Sequence, residues 1–130
     1  MAMAARNETI GNKKEAIKDY DTLIKLEPNK PEGYYSRAII DTSFRDYAGS
    51  IRDINKAMSV LPKDDSMRFA VYLDFRGDVK RLYGNEIQAV SDYNTTIQIY
   101  TRALKKYAGN DFAREERGKV EAKLKNRKRP

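Results

Sequence analysis

The chain has 130 residues, 35% charged and 40% hydrophobic, with no cysteine and no histidine. That rules out disulfides, thiolate chemistry, histidine general bases and the usual zinc sites, and no apolar run is long enough to cross a bilayer. The net charge of +7 belongs to one end: residues 1–100 hold 15 basic and 15 acidic side chains, residues 101–130 hold 11 and 4.

The opening MAMAARNETIG lacks a long apolar core and does not read as a signal peptide. Gly11 marks a turn between a short first helix and a second that ends at Pro28. The second carries Ala16, Ile17, Tyr20, Leu23 and Ile24 at the spacing of one helical face. Pro31 and Glu32 open the next helix, over 32–44, with Tyr34, Tyr35, Ala38, Ile39 and Ile40 as apolar surface. Its partner spans 47–60, with Tyr47, Ile51, Ile54, Ala57 and Met58 inward. Pro62 and the polar PKDDS break the chain. A capped helix follows over 66–82, then a turn at Gly84 and a longer helix from 86 to about 107. Ala108-Gly109-Asn110 precedes a last helix over 111–125, and 127–130 read as a basic frayed tail.

A skeleton recurs along these helices. Ala16-Ile17-Lys18-Asp19-Tyr20 returns as Ser50-Ile51-Arg52-Asp53-Ile54 and as Ala89-Val90-Ser91-Asp92-Tyr93, and Pro28 and Pro62 stand 34 residues apart. Small residues fall at Ala38, Gly77 and Gly118 in the first helix of each pair, and at Ala16, Ser50 and Ala89 in the second. With these residues the chain resembles the tetratricopeptide repeat (TPR) family. The resemblance implies an all-α, right-handed superhelical α-solenoid of about 3.5 helix-turn-helix repeats, seven helices in all. It makes one domain of residues 1–126, with repeats at 1–30, 31–64 and 65–107 and a capping half-repeat at 111–126. Small residues let paired helices approach, and the bulky residue beside them fills the remaining space. There are departures: Ile54 replaces an aromatic, Thr101 stands where a proline would, and Ser50 and Ala89 are 39 apart, with the extra five residues near PKDDS. The first helix of the first repeat is clipped, as it would be in a chain excised from a longer solenoid.

Arg37, Arg76 and Arg117 each precede the small residue of a first helix, and Asp19, Asp53 and Asp92 recur in the second helices. Pairing within a repeat joins Arg37 to Asp53 and Arg76 to Asp92. Pairing across repeats gives Asp19–Arg37, Asp53–Arg76 and Asp92–Arg117 and leaves none alone. The expectation is the second, a ladder of ion pairs that sets register between repeats, with a net energy near zero because desolvation offsets attraction. The alternative lays each Arg stem on apolar surface with its head in water.

Chemistry has little to stand on. Asp64-Asp65 and Glu115-Glu116 are adjacent, so on a helix they diverge by roughly 100°. Lys13-Lys14 and Lys105-Lys106 have no glycine-rich loop beside them. The reading is therefore a non-enzymatic protein, with no metal and no cofactor. Tyr20, Tyr47, Tyr83 and Tyr93 read as packing residues. The TPR resemblance implies a concave face that binds a peptide or a partner helix. Carried over site by site, that face is Glu32, Tyr35, Ser36, Ile39 and Thr42, then Val71, Asp74, Phe75, Asp78 and Arg81, then Phe112, Glu115 and Lys119. Some TPR domains grip a chaperone's C-terminal carboxylate with a Lys/Asn/Arg clamp. The matching positions here hold Tyr35, Ser36, Ile39, Val71 and Phe75, so that partner is not expected. The second function reading is binding of nucleic acid or an anionic surface through 102–129, which the interrupting Glu115, Glu116 and Glu121 disfavour. A third is self-association through an open N-terminal end. No compartment is set.

Overall fold

The structure, a computed structural model, describes the backbone of residues 2–126 and the side chains of 12–126. The tail expected at 127–130 lies outside the described residues. Among them are six α-helices and no strand: α1 (Ala2–Leu26), α2 (Pro31–Ser43), α3 (Tyr47–Val60), α4 (Ser66–Leu82), α5 (Glu86–Lys106) and α6 (Asp111–Lys125). The expected count was seven. The difference lies at Gly11, which α1 passes through without a turn. A single glycine costs a helix about 1 kcal/mol relative to alanine but does not stop it; no proline stands there to do so. Among the described residues no helix is long and apolar enough to cross a membrane. The stretch read as one domain divides into two compact units, Met1–Leu61 and Pro62–Pro130.

In the first unit, Pro31 starts α2 at its first helical position, where its missing N–H costs nothing. The Tyr34 hydroxyl donates to the Pro28 carbonyl at 2.9 Å and ties α2 to the link from α1. α2 ends in a left-handed residue, Arg45 (φ 65°), and the Asp46 N–H reaches back to the Asp41 carbonyl at 2.8 Å. The Asp46 side chain then caps α3 by accepting from the Gly49 N–H at 3.0 Å. α2 and α3 close on Ala38, Ser50, Ile54 and Ala57, all fully buried. The Ser50 hydroxyl donates to the Ala38 carbonyl at 2.9 Å, so the polar group is paired where the helices meet.

The second unit repeats this plan 39 residues later. Gly84 (φ 95°) holds the left-handed position, Asn85 donates to the Lys80 carbonyl at 2.8 Å, and its side chain caps α5 through the Gln88 N–H. Gly77 stands where Ala38 stood, and Tyr93 where Ile54 stood. A Cβ on Gly77 would come within 2.7 Å of the Tyr93 ring, so the glycine is what admits the larger side chain. α6 packs on α5, with Ala113 against Ala70 and Tyr100, and Val120 against Ala89 and Tyr93. α4 has 17 residues against 13 in α2, and α5 has 21 against 14 in α3. At the 39-residue offset the additions are 66–69 and 100–106. The wider repeat spacing is therefore absorbed as a further first turn of α4.

Two expected packing positions differ. Tyr83 is 59% exposed, because it caps α4 at the turn instead of facing a helix. Tyr100 and Tyr72, not singled out by the repeat pattern, are buried instead. Gly118 is exposed with nothing close to it, since no helix follows α6 among the described residues.

Candidate functional site

The recurring Arg and Asp meet within each hairpin. Arg37 grips Asp53 with two parallel bonds, Nε to Oδ2 at 2.9 Å and Nη2 to Oδ1 at 2.7 Å. Arg76 grips Asp92 in the same way, at 2.9 and 2.8 Å. The expected ladder is therefore corrected where both partners lie in one unit: Asp92 pairs with Arg76 and not with Arg117, and Asp53 is gripped by Arg37. The reason is the turn. Arg37 and Asp53 stand equally far along the chain on either side of Arg45, as Arg76 and Asp92 do about Gly84, so each hairpin brings its own pair level. Arg117 has no following helix to pair with among the described residues, and donates to the Thr101 hydroxyl at 3.2 Å.

Arg37 does reach back to α1, but to Asp21 (2.6 Å) and not to Asp19. Ile17, Asp21 and Ile24 lie on one stripe of α1, and Asp19 points about 200° away from Asp21, into solvent. The hydrogen bond to Asp53 does most to hold the Arg37 guanidinium firmly protonated.

Asp41, which sequence reasoning did not single out, completes this cluster. It is 5% exposed and lies beside Asp53. Burial, then the neighbouring Asp53 and Asp46, push its carboxyl up to about 7. Arg37, Asp41, Asp46, Arg52 and Asp53 surround a cavity of about 280 Å³ with Ile17, Asp21 and Gly49. The only advance signal was a charge within the buried stripe of α2. Among the described residues no cluster of carboxylates is arranged to hold a metal ion.

The residues expected on the concave face are distributed as follows. On α2, Glu32 and Ile39 are exposed, with Ile39 40% exposed, while Tyr35 and Ser36 are half-buried. Thr42 turns inward and donates to the Ser50 hydroxyl at 2.7 Å. On α4, Val71 and Phe75 are half-buried. On α6, Phe112 is 48% exposed and crosses the buried Tyr100 ring edge to face, with Glu115 and Lys119 exposed beside it.

The remaining three, Asp74, Asp78 and Arg81, are held by α6. Lys123 Nζ lies 2.7 Å from Asp74 Oδ1 and 3.0 Å from Asp78 Oδ1, and the Tyr93 hydroxyl donates to the same Asp78 oxygen at 2.6 Å. Arg81 stacks 5.2 Å from the Tyr93 ring centre and donates to the Lys123 carbonyl at 3.0 Å. Burial pulls the Lys123 pKa down, but the hydrogen bonds it donates to Asp74 and Asp78, with their charges, outweigh that and hold the ammonium charged. Burial raises the Asp74 carboxyl. Burial, then Asp78, raises the Tyr93 phenol.

No protein-family model matches the chain. It is similar to TPR repeat-containing protein MJ1428 of Methanocaldococcus jannaschii, 23% identical over 106 residues, which is 82% of this chain and 18% of that protein. The chain thus spans under a fifth of that relative's length. Among solved structures it is similar to the crystal structure of MamA, with a TM-score of 0.57 and 19% identity, covering 89% of this chain and 71% of that one. It is also similar to the first TPR of Spaghetti (RPAP3) bound to the HSP90 peptide SRMEEVD, with a TM-score of 0.53 and 20% identity over 96% and 92% of the chains. These likenesses bear out the resemblance read from the repeated residues: the fold is the all-α helix-turn-helix repeat fold of TPR proteins.

Proposed function

We propose that the chain is a non-enzymatic protein-interaction module, and that the outward faces of α2, α4 and α6 take a short peptide or a partner helix. The observation that carries this is the apolar surface left on those faces. Ile39 on α2 and Phe112 on α6 remain substantially exposed. Ile39 shares its α2 face with Glu32, and Phe112 stands on α6 with Glu115 and Lys119; each face suits a partner with a few anchoring side chains better than a charged polymer. One solved neighbour holds a peptide, which makes this class of ligand a natural one for the fold. Its particular ligand does not transfer. The positions that would clamp a terminal carboxylate are Tyr35, Ser36, Ile39, Val71 and Phe75, none of which is a cation or an amide.

Selection of random linear peptides against the chain tests the proposal. Recovered peptides should lose at least tenfold in affinity to Ile39→Glu or Phe112→Glu; unchanged affinity in both would reject it. A calorimetric signal that needs a terminal Glu-Glu-Val-Asp would reject the absence of a clamp. Nucleic-acid binding through 102–129 is the competing outcome. It would show as about 0.9 log unit of affinity lost per phosphate contact per log unit of salt. Several cations there are already paired, Arg114 with Asp111, Lys119 with Glu116 and Lys123 with Asp74.

A further inference from the structure

Besides the helix faces described above, the second unit contains a cleft built mostly from residues that α2 and α3 lack. It has a volume of about 360 Å³ and is bounded by Met67, Ile99, Arg102, Ala103, Lys106 and Tyr107, with Ser66 and Asn110 at its ends. Apart from Ile99, every one of these residues lies in the segments without a match in α2 and α3: the added first turn of α4, the added end of α5, and the link to α6. The extra residues of this repeat have built a concavity, not only a longer hairpin.

Its floor is apolar and firm. Met67, Ile99 and Ala103 pack on the buried Ala70, Tyr100 and Ala113. Its wall is set in advance. The Tyr107 ring lies so close to Gly109 that a Cβ there would be 2.7 Å from the phenol carbon and oxygen. The link is further fixed by Arg114, which donates to the Ala108 carbonyl, and by Asn110, whose side chain caps α6. A preformed wall lowers the ordering cost of a ligand.

Both charges in the lining are positive. Arg102 and Lys106 are exposed, and neither has an ion-pair partner among the described residues. The two carboxylates that flank the lining in sequence are both engaged: Asp65 by the Arg68 backbone N–H at 3.1 Å and Nε at 2.7 Å, which hold its pKa below the ordinary range, and Asp111 by Arg114 at 2.9 Å. An apolar floor under two open cations complements one ligand chemistry: a hydrophobic side chain flanked by carboxylates.

We infer that this cleft is a second docking site, which takes an acidic peptide segment by seating one aliphatic or aromatic side chain on Met67 and Ala103 while its carboxylates meet Arg102 and Lys106. A guanidinium suits the carboxylate because its fork can make two parallel bonds.

The test uses the whole chain and three fluorescent probes: a short Asp/Glu peptide with a central Leu-Phe pair, the same peptide with Ser in place of Leu and Phe, and a single-stranded RNA of equal length. The first should bind, and Arg102→Glu with Lys106→Glu should weaken it by about tenfold or more, the scale of one lost charged contact. Tyr107→Ala, on an exposed side chain, should weaken it several-fold without loss of helicity. The Ser peptide should bind at least tenfold more weakly to the unaltered protein, a comparison that needs no variant to fold. Equal binding of the Ser peptide or of the RNA would overturn the inference in favour of a plain polyanion contact. Binding that survives the double charge reversal but is lost with Ile39→Glu or Phe112→Glu would overturn it in favour of the α2, α4 and α6 faces.

Discussion

The α2–α3 hairpin and the α4–α5 hairpin are built on one scheme at an offset of 39 residues, and their differences show which details the scheme leaves free. Each has an Arg–Asp fork, a left-handed residue at the turn and a side-chain cap on the second helix. At the position beside the fork, however, the first hairpin holds Asp41 and the second Lys80. Asp41 meets the Asp53 carboxylate and is driven toward its neutral form, whereas Lys80 lies 3.5 Å from Asp92 and adds a second cation to it. One scheme thus carries a surplus of acid in one unit and a balanced group in the other. The forks specify how each hairpin closes; the neighbour at that one position decides how the hairpin answers to pH.

The largest consequence concerns the forks. Arg37→Ala removes the guanidinium bonded to Asp53 and Asp21, with Asp41 close by, and should cost about 3–5 kcal/mol. Arg76→Ala leaves Asp92 with Lys80 and should cost about 1–3 kcal/mol. Urea unfolding of the two variants measures the gap, and equal losses would break the comparison.

The next effect is steric. Gly77→Ala should cost about 1–3 kcal/mol because the Tyr93 ring cannot yield. Adding Tyr93→Ile, which copies the Ala38–Ile54 pair of the other hairpin, should recover part of that loss. A neutral Gly77→Ala, read from the denaturant midpoint, would mean the pairing of small with large is not what closes these helices.

The third concerns pH. Asp41 has a folded pKa of about 7, above the ordinary value of 3.8. The folded state therefore binds the extra proton between those values. Its stabilisation is fully present below about pH 4 and is lost as the pH rises toward 7. Asp21, Arg37, Asp46, Arg52 and Asp53 line the cavity around the group, and Lys13 opposes the shift. Asp41→Asn should flatten that slope, as followed by thermal melts from pH 5 to 8. An unchanged slope would remove Asp41 as its source.

The smallest effect is at the turns. Arg45 adopts φ 65° where the other hairpin has glycine, so Arg45→Gly should stabilise by about 0.5–1 kcal/mol and Gly84→Ala should destabilise by about as much. A loss of stability on Arg45→Gly would show that the side chain does more at the turn than tolerate strain.

Much of this was legible in the residues. The proline and cap signals placed both ends of the five helices α2 to α6 nearly as found, because caps and prolines act locally. The small-residue rule placed Ala38, Ser50, Gly77 and Ala89 in the packed interior. Local signals also misled: Gly11 looked like a turn, yet nothing beside it stops α1. The ion pairs were misassigned because sequence names the charges but not their height along a hairpin, which the symmetry about Arg45 and Gly84 sets. Asp41 and the Lys123 contacts to Asp74 and Asp78 escaped notice for a related reason. Each joins groups far apart in the chain whose meeting depends on which side of a helix faces the next. The cleft was unreadable because sequence gives the lengths of α4 and α5 but not that their added ends, 66–69 and 100–106, come together with the link to α6.

The exposed faces of α2, α4 and α6 as the working surface are the claim on which the functional account turns. Backbone amide shifts, followed by NMR while a library-selected peptide is titrated in, test it most directly. The account predicts that the largest changes fall at Glu32, Tyr35, Ser36 and Ile39, and at Val71, Phe75 and Phe112. Changes confined to α3 and α5, with those seven amides unmoved, would contradict it.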